Sequence, residues 1–358
     1  MKRRKWIDEH AYADLVALCQ FPPGPASSQL GIAIGLSRGR IPGAVAAWLG
    51  FTLPSALLLV LFGLGLTHYG TDIHAPWLHG LKLAAAAVVA QAVWGMSVKL
   101  CPDRERASIA VIATIIALTF TPAWIQLAVI FLGGIAGALY FKKAHELPHA
   151  PLGTNVSHRT GLISITLYLS LLVLLPFLVQ ASGAQALRLF DSFYRVGALV
   201  FGGGHVVLPL LQTEVVNPGW ISKDVFLAGY GAAQAVPGPL FTFAAYIGAV
   251  SKTEVSGWLG AGICLIAIFL PGFLLIIGAL PLWEHIRKFH TMRNAMLGVN
   301  AAVVGLLLAA LYNPVWTSAV LSPKDFCVVL AAFALLVFWK APSWAVVILS
   351  ALAGWLIL

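Results

Sequence analysis

Residues 20–25 read Gln20-Phe21-Pro22-Pro23-Gly24-Pro25, and residues 234–239 read Gln234-Ala235-Val236-Pro237-Gly238-Pro239. Each run follows a Trp-Ile pair, and both the pairs and the Pro-Gly-Pro triplets lie 214 residues apart. A Pro-Gly-Pro triplet interrupts a helix, because two backbone donors are missing and glycine adds conformational freedom. Two such breaks at matching places in the halves of a hydrophobic chain are typical of a membrane transporter's binding site.

The composition indicates an all-α polytopic membrane protein with Pro/Gly-broken helices. Of the 358 residues, 60% are hydrophobic and 10% are charged, whereas a soluble domain carries about 25% charged residues. Several apolar stretches reach the ~18 residues that span a bilayer: Pro42–Thr67, Ala107–Phe120 with its flanks, Trp124–Phe141, Gly161–Gln180 and Ala295–Tyr312. The net charge of +9 comes from Lys and Arg in short loops, as membrane orientation requires. It therefore does not indicate nucleic-acid binding.

The chain divides into two repeats and a linker. We assign residues 1–141 to the first repeat, 142–186 to a loop and a linker transmembrane helix, and 187–358 to the second repeat. The segment Ala86–Val89 recurs as Ala301–Val304, and Leu53-Pro54-Ser55 is matched by Leu270-Pro271-Gly272. Only five residues precede Trp6, so we expect the first repeat to lack the leading helix with which the second repeat opens.

Loop charges predict that the two repeats have opposite orientations in the membrane. In the first repeat and the linker, three loops contain Lys or Arg, and we assign these loops to the cytoplasm: Ser37–Arg40, Lys99–Arg106 and Lys142–Arg159. The segment His68–Pro76 has no Lys or Arg, whereas its counterpart Trp283–Arg293 has three. Equivalent loops would thus face opposite sides, with the linker helix Gly161–Gln180 supplying the inversion.

The Pro-Gly-Pro breaks suggest an anion site. We expect a half-helix to start after each break, over Ala26–Gly35 and Leu240–Val250. The first amides of a helix lack partners within it and carry partial positive charge, which favours an anion. The substrate-binding candidates at the breaks are Pro23, Gly24, Pro25, Ser27, Ser28, Gln29, Pro237, Gly238, Pro239 and Thr242, with Gln20 and Gln234 before them. The alternative is that both breaks are kinks required for packing.

A glycine-rich run, Phe201-Gly202-Gly203-Gly204-His205, predicts a third interruption and adds Gly202, Gly203 and Gly204 to the candidates. Asn300, before the repeated Ala-Ala-Val-Val, either binds substrate or caps a packed helix. Three further residues are candidates for charge or proton coupling: Asp14, Arg195 and His205. Arg195 also lies four residues from Asp191 and can pair with it, and His205 can be purely structural.

Two further readings concern helix surfaces. Lys82 follows Trp77 in an apolar context, so we expect its ammonium to reach the membrane interface. The spacings Gly31–Gly35 and Gly133–Gly137 are typical of helix-packing surfaces in membranes.

Motifs of enzymes are missing from the sequence: it has no HExxH, no GxSxG and no Walker A motif. The four cysteines form no ligand-spaced set. We therefore expect no enzymatic activity, no cofactor and no metal site.

The quoted segments resemble the signatures of the chromate ion transporter (CHR) family. The resemblance rests on Trp6-Ile7 with Gln20–Leu30 in the first half, and on Phe201–His205, Pro237–Gly248 and Gly298–Leu306 in the second. It covers nearly the whole chain and implies a long-chain, two-domain member with inverted halves in the bacterial inner membrane. Family members carry a Phe-Gly-Gly helix in both halves, and only the second is present here.

The resemblance implies secondary active export of chromate, with proton coupling and chromate resistance. The expected partners are the oxyanion and the lipid bilayer, and a homodimer is compatible with the sequence. Sulfate, another tetrahedral dianion, is an alternative substrate. A non-transporting membrane subunit is an alternative class because the first leading helix is absent, and a membrane-embedded enzyme is a third.

Overall fold

The computed structural model describes residues 12, 15, 16, 18, 19, 22–68, 75–120, 122, 124–141, 156–283 and 289–357. Every regular element among these residues is helical. The helices are α1 (Ala26–His68), α2 (Pro76–Leu100), α3 (Arg104–Thr119), α4 (Trp124–Tyr140), α5 (His158–Ser182), α6 (Gln185–Leu199), α7 (Val207–Val215), α8 (Lys223–Ala235), α9 (Phe243–Val250), α10 (Gly257–Ala279), α11 (His290–Ala310), α12 (Pro323–Val337) and α13 (Ser343–Ile357). The predicted all-α class is confirmed.

Within the described residues, five helical segments are long and apolar enough to cross a membrane: Ala26–His68, Pro76–Leu100, His158–Ser182, Gly257–Leu282 and Thr291–Ala319. Large apolar side chains cover the outside of α5, where Leu162, Ile163 and Phe177 are each more than 60% exposed. Such a surface is unfavourable in water and suits lipid. The predicted polytopic membrane organisation is therefore confirmed.

Short polar residues set several helix starts. The side chain of Ser157 accepts a hydrogen bond from the amide of Thr160 at the start of α5, and Ser222 does the same for Val225 in α8. These N-caps satisfy amides that have no partner within the helix. Gly183 ends α5 in the left-handed conformation with a φ of 65°, which glycine adopts at little cost.

Helix α1 contains a sharp bend. Gly39 and Arg40 have non-helical backbone angles, so the segment from Ala26 to Arg38 is a separate half-helix. The half-helix begins where the sequence predicted and continues three residues beyond Gly35. Across the bend, Gly35 contacts the backbone of Gly43 so closely that a side chain at either position would collide with the other.

Two helical hairpins follow α5. Helices α6 and α7 form the first, with its tip at the glycine-rich run, and helices α8 and α9 form the second, with its tip at Pro237-Gly238-Pro239. The base of the second hairpin is closed by a 2.7 Å hydrogen bond from the Lys252 amide to the Trp220 carbonyl. Farther along, the Tyr246 hydroxyl donates to the Val225 carbonyl at 2.9 Å. The second hairpin therefore begins and ends at the same level of the molecule.

Close glycine contacts join the early helices to the late ones. Helix α4 packs on α11, and α2 packs on α13. A methyl group at Gly133 would lie 2.6 Å from Cβ of Ala302, and Gly137 contacts the Asn294 carbonyl directly. The predicted packing role of Gly133 and Gly137 is confirmed. For Gly31 it is wrong, because no described atom lies within 4 Å of a methyl group placed there.

Candidate functional site

The three interruptions of the chain meet inside the molecule. The amide of Gly24 in the first Pro-Gly-Pro donates to the carbonyl of Val200, which ends α6, at 2.7 Å. A methyl group at Gly204 in the glycine-rich turn would lie 3.4 Å from Cβ of Leu240, which follows the second Pro-Gly-Pro. The glycine-rich turn thus lies between the two Pro-Gly-Pro breaks: Val200, just before it, bonds to the first, and Gly204 lies against Leu240, just after the second.

The first break is closed by a glutamine. Gly24 has a φ of +121°, which a residue with a side chain rarely adopts. Nε2 of Gln29 donates to the Pro23 carbonyl at 2.7 Å, and Gln29 is fully buried. A methyl group at Gly24 would lie 2.7 Å from that nitrogen and 3.6 Å from Cα of Gly272. The geometry of this turn therefore requires glycine.

The second break has the same backbone form with different neighbours. Gly238 has a φ of +149°, and a methyl group there would lie 2.5 Å from Oγ of Ser55. The hydroxyl of Thr242 donates to the Pro239 carbonyl at 2.8 Å. Thr242 is therefore committed to its own turn, and its hydroxyl hydrogen is not available to a substrate.

Each break lies against the long helix of the other half. Gly24 packs on Gly272, which follows Pro271 in α10, and Gly238 packs on Ser55, which follows Pro54 in α1. These two proline positions are the ones that the sequence matched to each other. The break in each half of the chain thus packs on a helix of the other half.

Aromatic rings connect the two breaks. The Trp48 ring lies 5.6 Å from Phe269 and 5.7 Å from Phe273, with edge-to-face geometry. Phe269 also lies 5.8 Å from Phe241, just after the second break. Because Phe273 adjoins Gly272, this cluster reaches from the first break to the second.

Four buried hydrogen-bond donors near the breaks have no protein partner among the described residues: Oγ of Ser28, Nε1 of Trp48, Oγ1 of Thr52 and Nε2 of Gln234. Ser28 and Gln234 flank the breaks in sequence. Trp48 and Thr52 lie one turn apart on α1, just before the Ser55 contact. Buried polar groups are normally hydrogen-bonded, so this donor set, called the donor cluster below, suits a ligand rich in acceptor oxygens.

Sequence reasoning identified Ser28 and named Gln234, but missed Trp48 and Thr52. Neither residue belongs to a break, and a tryptophan or threonine in an apolar helix is unremarkable by type. Their nearness to the matched Leu53-Pro54-Ser55 is the one sequence signal that points to them.

Asn300 lies beside the glycine-rich turn. A methyl group at Gly202 would lie 3.6 Å from Oδ1 of Asn300 and 3.0 Å from Cγ1 of Val303. Gly202 and Gly203 have φ values of +80° and +125°. Within the described part of the chain, the side-chain amide of Asn300 makes no hydrogen bond. No described atom lies within 4 Å of a methyl group placed at Gly203. The predicted substrate-binding glycines and Asn300 are therefore brought together.

The charge-coupling candidates lie in different settings. Nδ1 of His205 lies 2.9 Å from the hydroxyl of Tyr230, which ties the glycine-rich turn to α8. Arg195 lies along α6 between two carboxylates, 3.1 Å from Asp191 and 3.2 Å from Glu214. Asp14, like Gln20, lies outside the described residues. Ser27 is exposed at the start of α1.

Lys82 pairs with a carboxylate from the second half of the chain. Only 10% of its side chain is exposed, and its Nζ lies 2.9 Å from Oδ1 of Asp224 at the start of α8. That its ammonium reaches the membrane interface stays a prediction.

Comparisons with known proteins agree with one another. A sequence model of the family described as "Chromate transporter" matches residues 1–138 and 187–355. A protein named chromate transport protein from Pseudomonas aeruginosa is 28% identical, over 99% of this chain and 84% of its own. Another of that name from Cupriavidus metallidurans is 26% identical, over 99% and 85%.

An uncharacterized transporter of Methanocaldococcus jannaschii is 24% identical, over 99% of this chain and 87% of its own. No solved structure is significantly similar to the chain. The matched family is a transporter family, in agreement with the apolar helices described above.

Proposed function

Because the chain belongs to the chromate transporter family, we propose that it is a secondary active transporter that exports chromate. The observation that carries this proposal is the donor cluster of Ser28, Trp48, Thr52 and Gln234 beside the two Pro-Gly-Pro breaks. The relatives from Pseudomonas and Cupriavidus bear the name chromate transport protein, which supports the same substrate.

The chemistry of the donor cluster matches a tetrahedral oxyanion. Chromate as a dianion has four oxygens that accept hydrogen bonds and none that donates. Hydroxyl, indole and amide hydrogens fit such a ligand without placing a full positive charge in the membrane, where an unpaired charge is costly. The half-helix that starts at Ala26 adds free backbone amides and a partial positive charge beside Ser28, which lies in its first turn.

The proposed mechanism is alternating access between inverted repeats. The exchanged contacts of Gly24 with Gly272 and of Gly238 with Ser55 are those expected of a two-fold relation between the halves. In this proposal the halves, 1–141 and 187–358, rock around the breaks. The protein lies in a bacterial inner membrane, works as a proton-coupled antiporter, and confers chromate resistance.

The test is chromate accumulation in cells that express the chain at known membrane abundance. We expect lower accumulation than in cells without it, and loss of the effect in Gly24→Leu and Gly238→Leu. Gly31→Leu is a matched control on α1, because a side chain there meets open space, and it should behave as the native chain. Equal accumulation with and without the native protein would contradict chromate export.

Sulfate is the second candidate substrate, because every group of the donor cluster can donate to either dianion and both dianions are tetrahedral. Competition separates the two. If sulfate abolishes chromate transport at an equal or lower concentration than chromate, sulfate is the better ligand. If sulfate does not compete, the protein selects chromate by a property other than the arrangement of hydrogen-bond donors.

A further inference from the structure

Two carboxylates and one guanidinium lie together where the arms α6 and α7 of the first hairpin run side by side. Nη2 of Arg195 lies 3.1 Å from Oδ2 of Asp191 on its own helix and 3.2 Å from Oε2 of Glu214 on the other arm. The same nitrogen serves both acids. With all three groups ionised, the cluster carries one uncompensated negative charge.

Asp191 is the less well satisfied of the two acids. Its side chain is 6% exposed, compared with 22% for Glu214. Its Oδ1 is buried and has no hydrogen-bond partner in the described part of the chain. A buried carboxylate oxygen without a partner is costly, and a proton removes that cost by neutralising the group.

A cavity of about 290 Å³ reaches this cluster and is lined by Arg195, Glu214, Thr213, Gln126 and Trp124, among others. Nε2 of Gln126 donates to Oγ1 of Thr213 at 2.8 Å, which leaves the buried Oε1 of Gln126 without a partner. The cavity has room for several waters, since one needs about 10–15 Å³ of such volume. Protons can therefore move between the cavity and Glu214.

We propose that Asp191 is a proton-binding site, with Arg195 as its fixed counter-charge and Glu214 as the group that exchanges the proton with the cavity. The inference names the coupling group for the transport proposed above, and only its link to chromate rests on that function.

Arg195 and Glu214 are the charged groups that act on Asp191. Other titratable or charged groups lie on the surrounding elements: Arg188 and Tyr194 on α6, His158, Arg159 and Tyr168 on α5, Cys264 on α10, and Arg293 on α11. Tyr194 is committed to the Tyr168 carbonyl and Tyr168 to the Ala198 carbonyl.

The position of the cluster links its charge to the breaks. Helix α6 leads into the turn of Gly202, Gly203 and Gly204, and α7 leads out of it. The contact of Arg195 with Glu214 holds these two arms together. When Asp191 is protonated, Arg195 is left to Glu214 alone, which tightens the bond between the arms and shifts the turn that follows Val200, the partner of Gly24.

The test uses the full chain in proteoliposomes, with labelled chromate as the probe. Asp191→Asn preserves shape and removes the proton site. We expect it to keep chromate exchange at equal pH and to lose accumulation driven by a proton gradient. Glu254→Gln, an exposed acid outside the cluster, is the matched control and should retain both. Proton-driven accumulation by Asp191→Asn at the level of the control would overturn the proposal.

A second readout does not depend on chromate. Infrared difference spectra across a pH titration should show a buried protonated carboxyl group in the native protein that disappears in Asp191→Asn. If the band persists in the variant, the proton is elsewhere and the proposal is wrong. If the band depends on Asp191 but no chromate moves in either mode, the proton site stands and the proposed function fails.

Discussion

The two Pro-Gly-Pro breaks have the same sequence and similar backbone angles, yet their surroundings are unequal. At the first, Gly24 and Pro25 are buried, whereas at the second, Pro237 and Gly238 are exposed. Three of the four members of the donor cluster lie on α1, after the first break, and only Gln234 comes from the second half. A duplicated backbone feature has therefore kept its shape in both halves while its hydrogen-bonding chemistry is concentrated in one.

The largest expected effect tests that inequality directly. Ser28→Ala and Thr52→Val each remove an unpartnered donor, and Thr242→Val removes a hydroxyl that is already bonded to Pro239. A hydrogen bond to a charged group contributes about 1.5–3 kcal/mol, so we expect the first two variants to lower chromate transport roughly ten- to hundredfold. Thr242→Val should lower it far less.

The measurement is the initial rate of chromate movement in membrane vesicles, normalised to the amount of protein. Equal losses for Thr242→Val and Thr52→Val would show that the two halves of the chain contribute alike, contrary to the comparison.

Alanine at the two glycines should also give unequal results. Gly24 and Gly238 have φ values of +121° and +149°, so each substitution costs on the order of 1–3 kcal/mol in backbone strain. Gly238→Ala in addition meets Oγ of Ser55, and Ser55→Gly removes that clash. Gly24→Ala meets Nε2 of Gln29 at 2.7 Å and Cα of Gly272 at 3.6 Å, and shortening Gln29 would remove the hydrogen bond that closes this turn.

We therefore expect Ser55→Gly to recover part of the thermal stability and transport lost in Gly238→Ala. Gly24→Ala offers no such rescue on its Gly272 side. Melting in detergent and vesicle transport measure both, and no recovery in the double variant would mean that backbone strain alone sets the loss.

The ion pair between Lys82 and Asp224 offers a smaller effect. It joins α2 to α8, and its lysine is buried while its aspartate is 41% exposed. Asp224→Asn leaves a buried ammonium without its partner, which costs more than removing both charges. We expect Asp224→Asn to lower the melting temperature more than the double variant Lys82→Met with Asp224→Asn. The reverse order would show that water already reaches Lys82.

The smallest effect concerns two helix starts that would be equivalent if the halves are the predicted repeats. Asp103 caps α3, whereas Ser322 caps α12 in a reciprocal capping box with Asp325. The hydrogen bond from the Arg106 side chain holds the pKa of Asp103 below its ordinary value. A lowered pKa contributes stability above the pKa of the unfolded state, and that stability is lost as the pH falls.

Since Asp103 is 38% exposed, the effect is small. As the pH falls from neutral to about 4 and then lower, we expect the native protein to lose slightly more stability than Asp103→Asn. Identical pH profiles of the melting temperature would contradict this. Asparagine retains the cap, so the comparison isolates the charge.

Local sequence predicts the helix breaks well, but it predicts poorly which residues pack against them. Proline and glycine act on the backbone at their own positions, so the interruptions at Gly24, Gly202 and Gly238 and the half-helix from Ala26 are predictable. The inverted relation of the halves stays a prediction from loop charges. Partners such as Ser55 for Gly238, or Asp224 for Lys82, depend on packing between residues far apart in the chain. Residue type alone does not identify them.

The hydrogen bond that closes the second hairpin, from Lys252 to Trp220, has a consequence for biosynthesis. Helix α8 has 13 residues and α9 has 8, and at about 1.5 Å per residue neither reaches across the ~30 Å of hydrocarbon. Neither arm can be retained in the bilayer alone as it leaves the ribosome. The hairpin must therefore enter as one unit, after Lys252 has been made, and only protein already in place can shelter the open backbone at its tip.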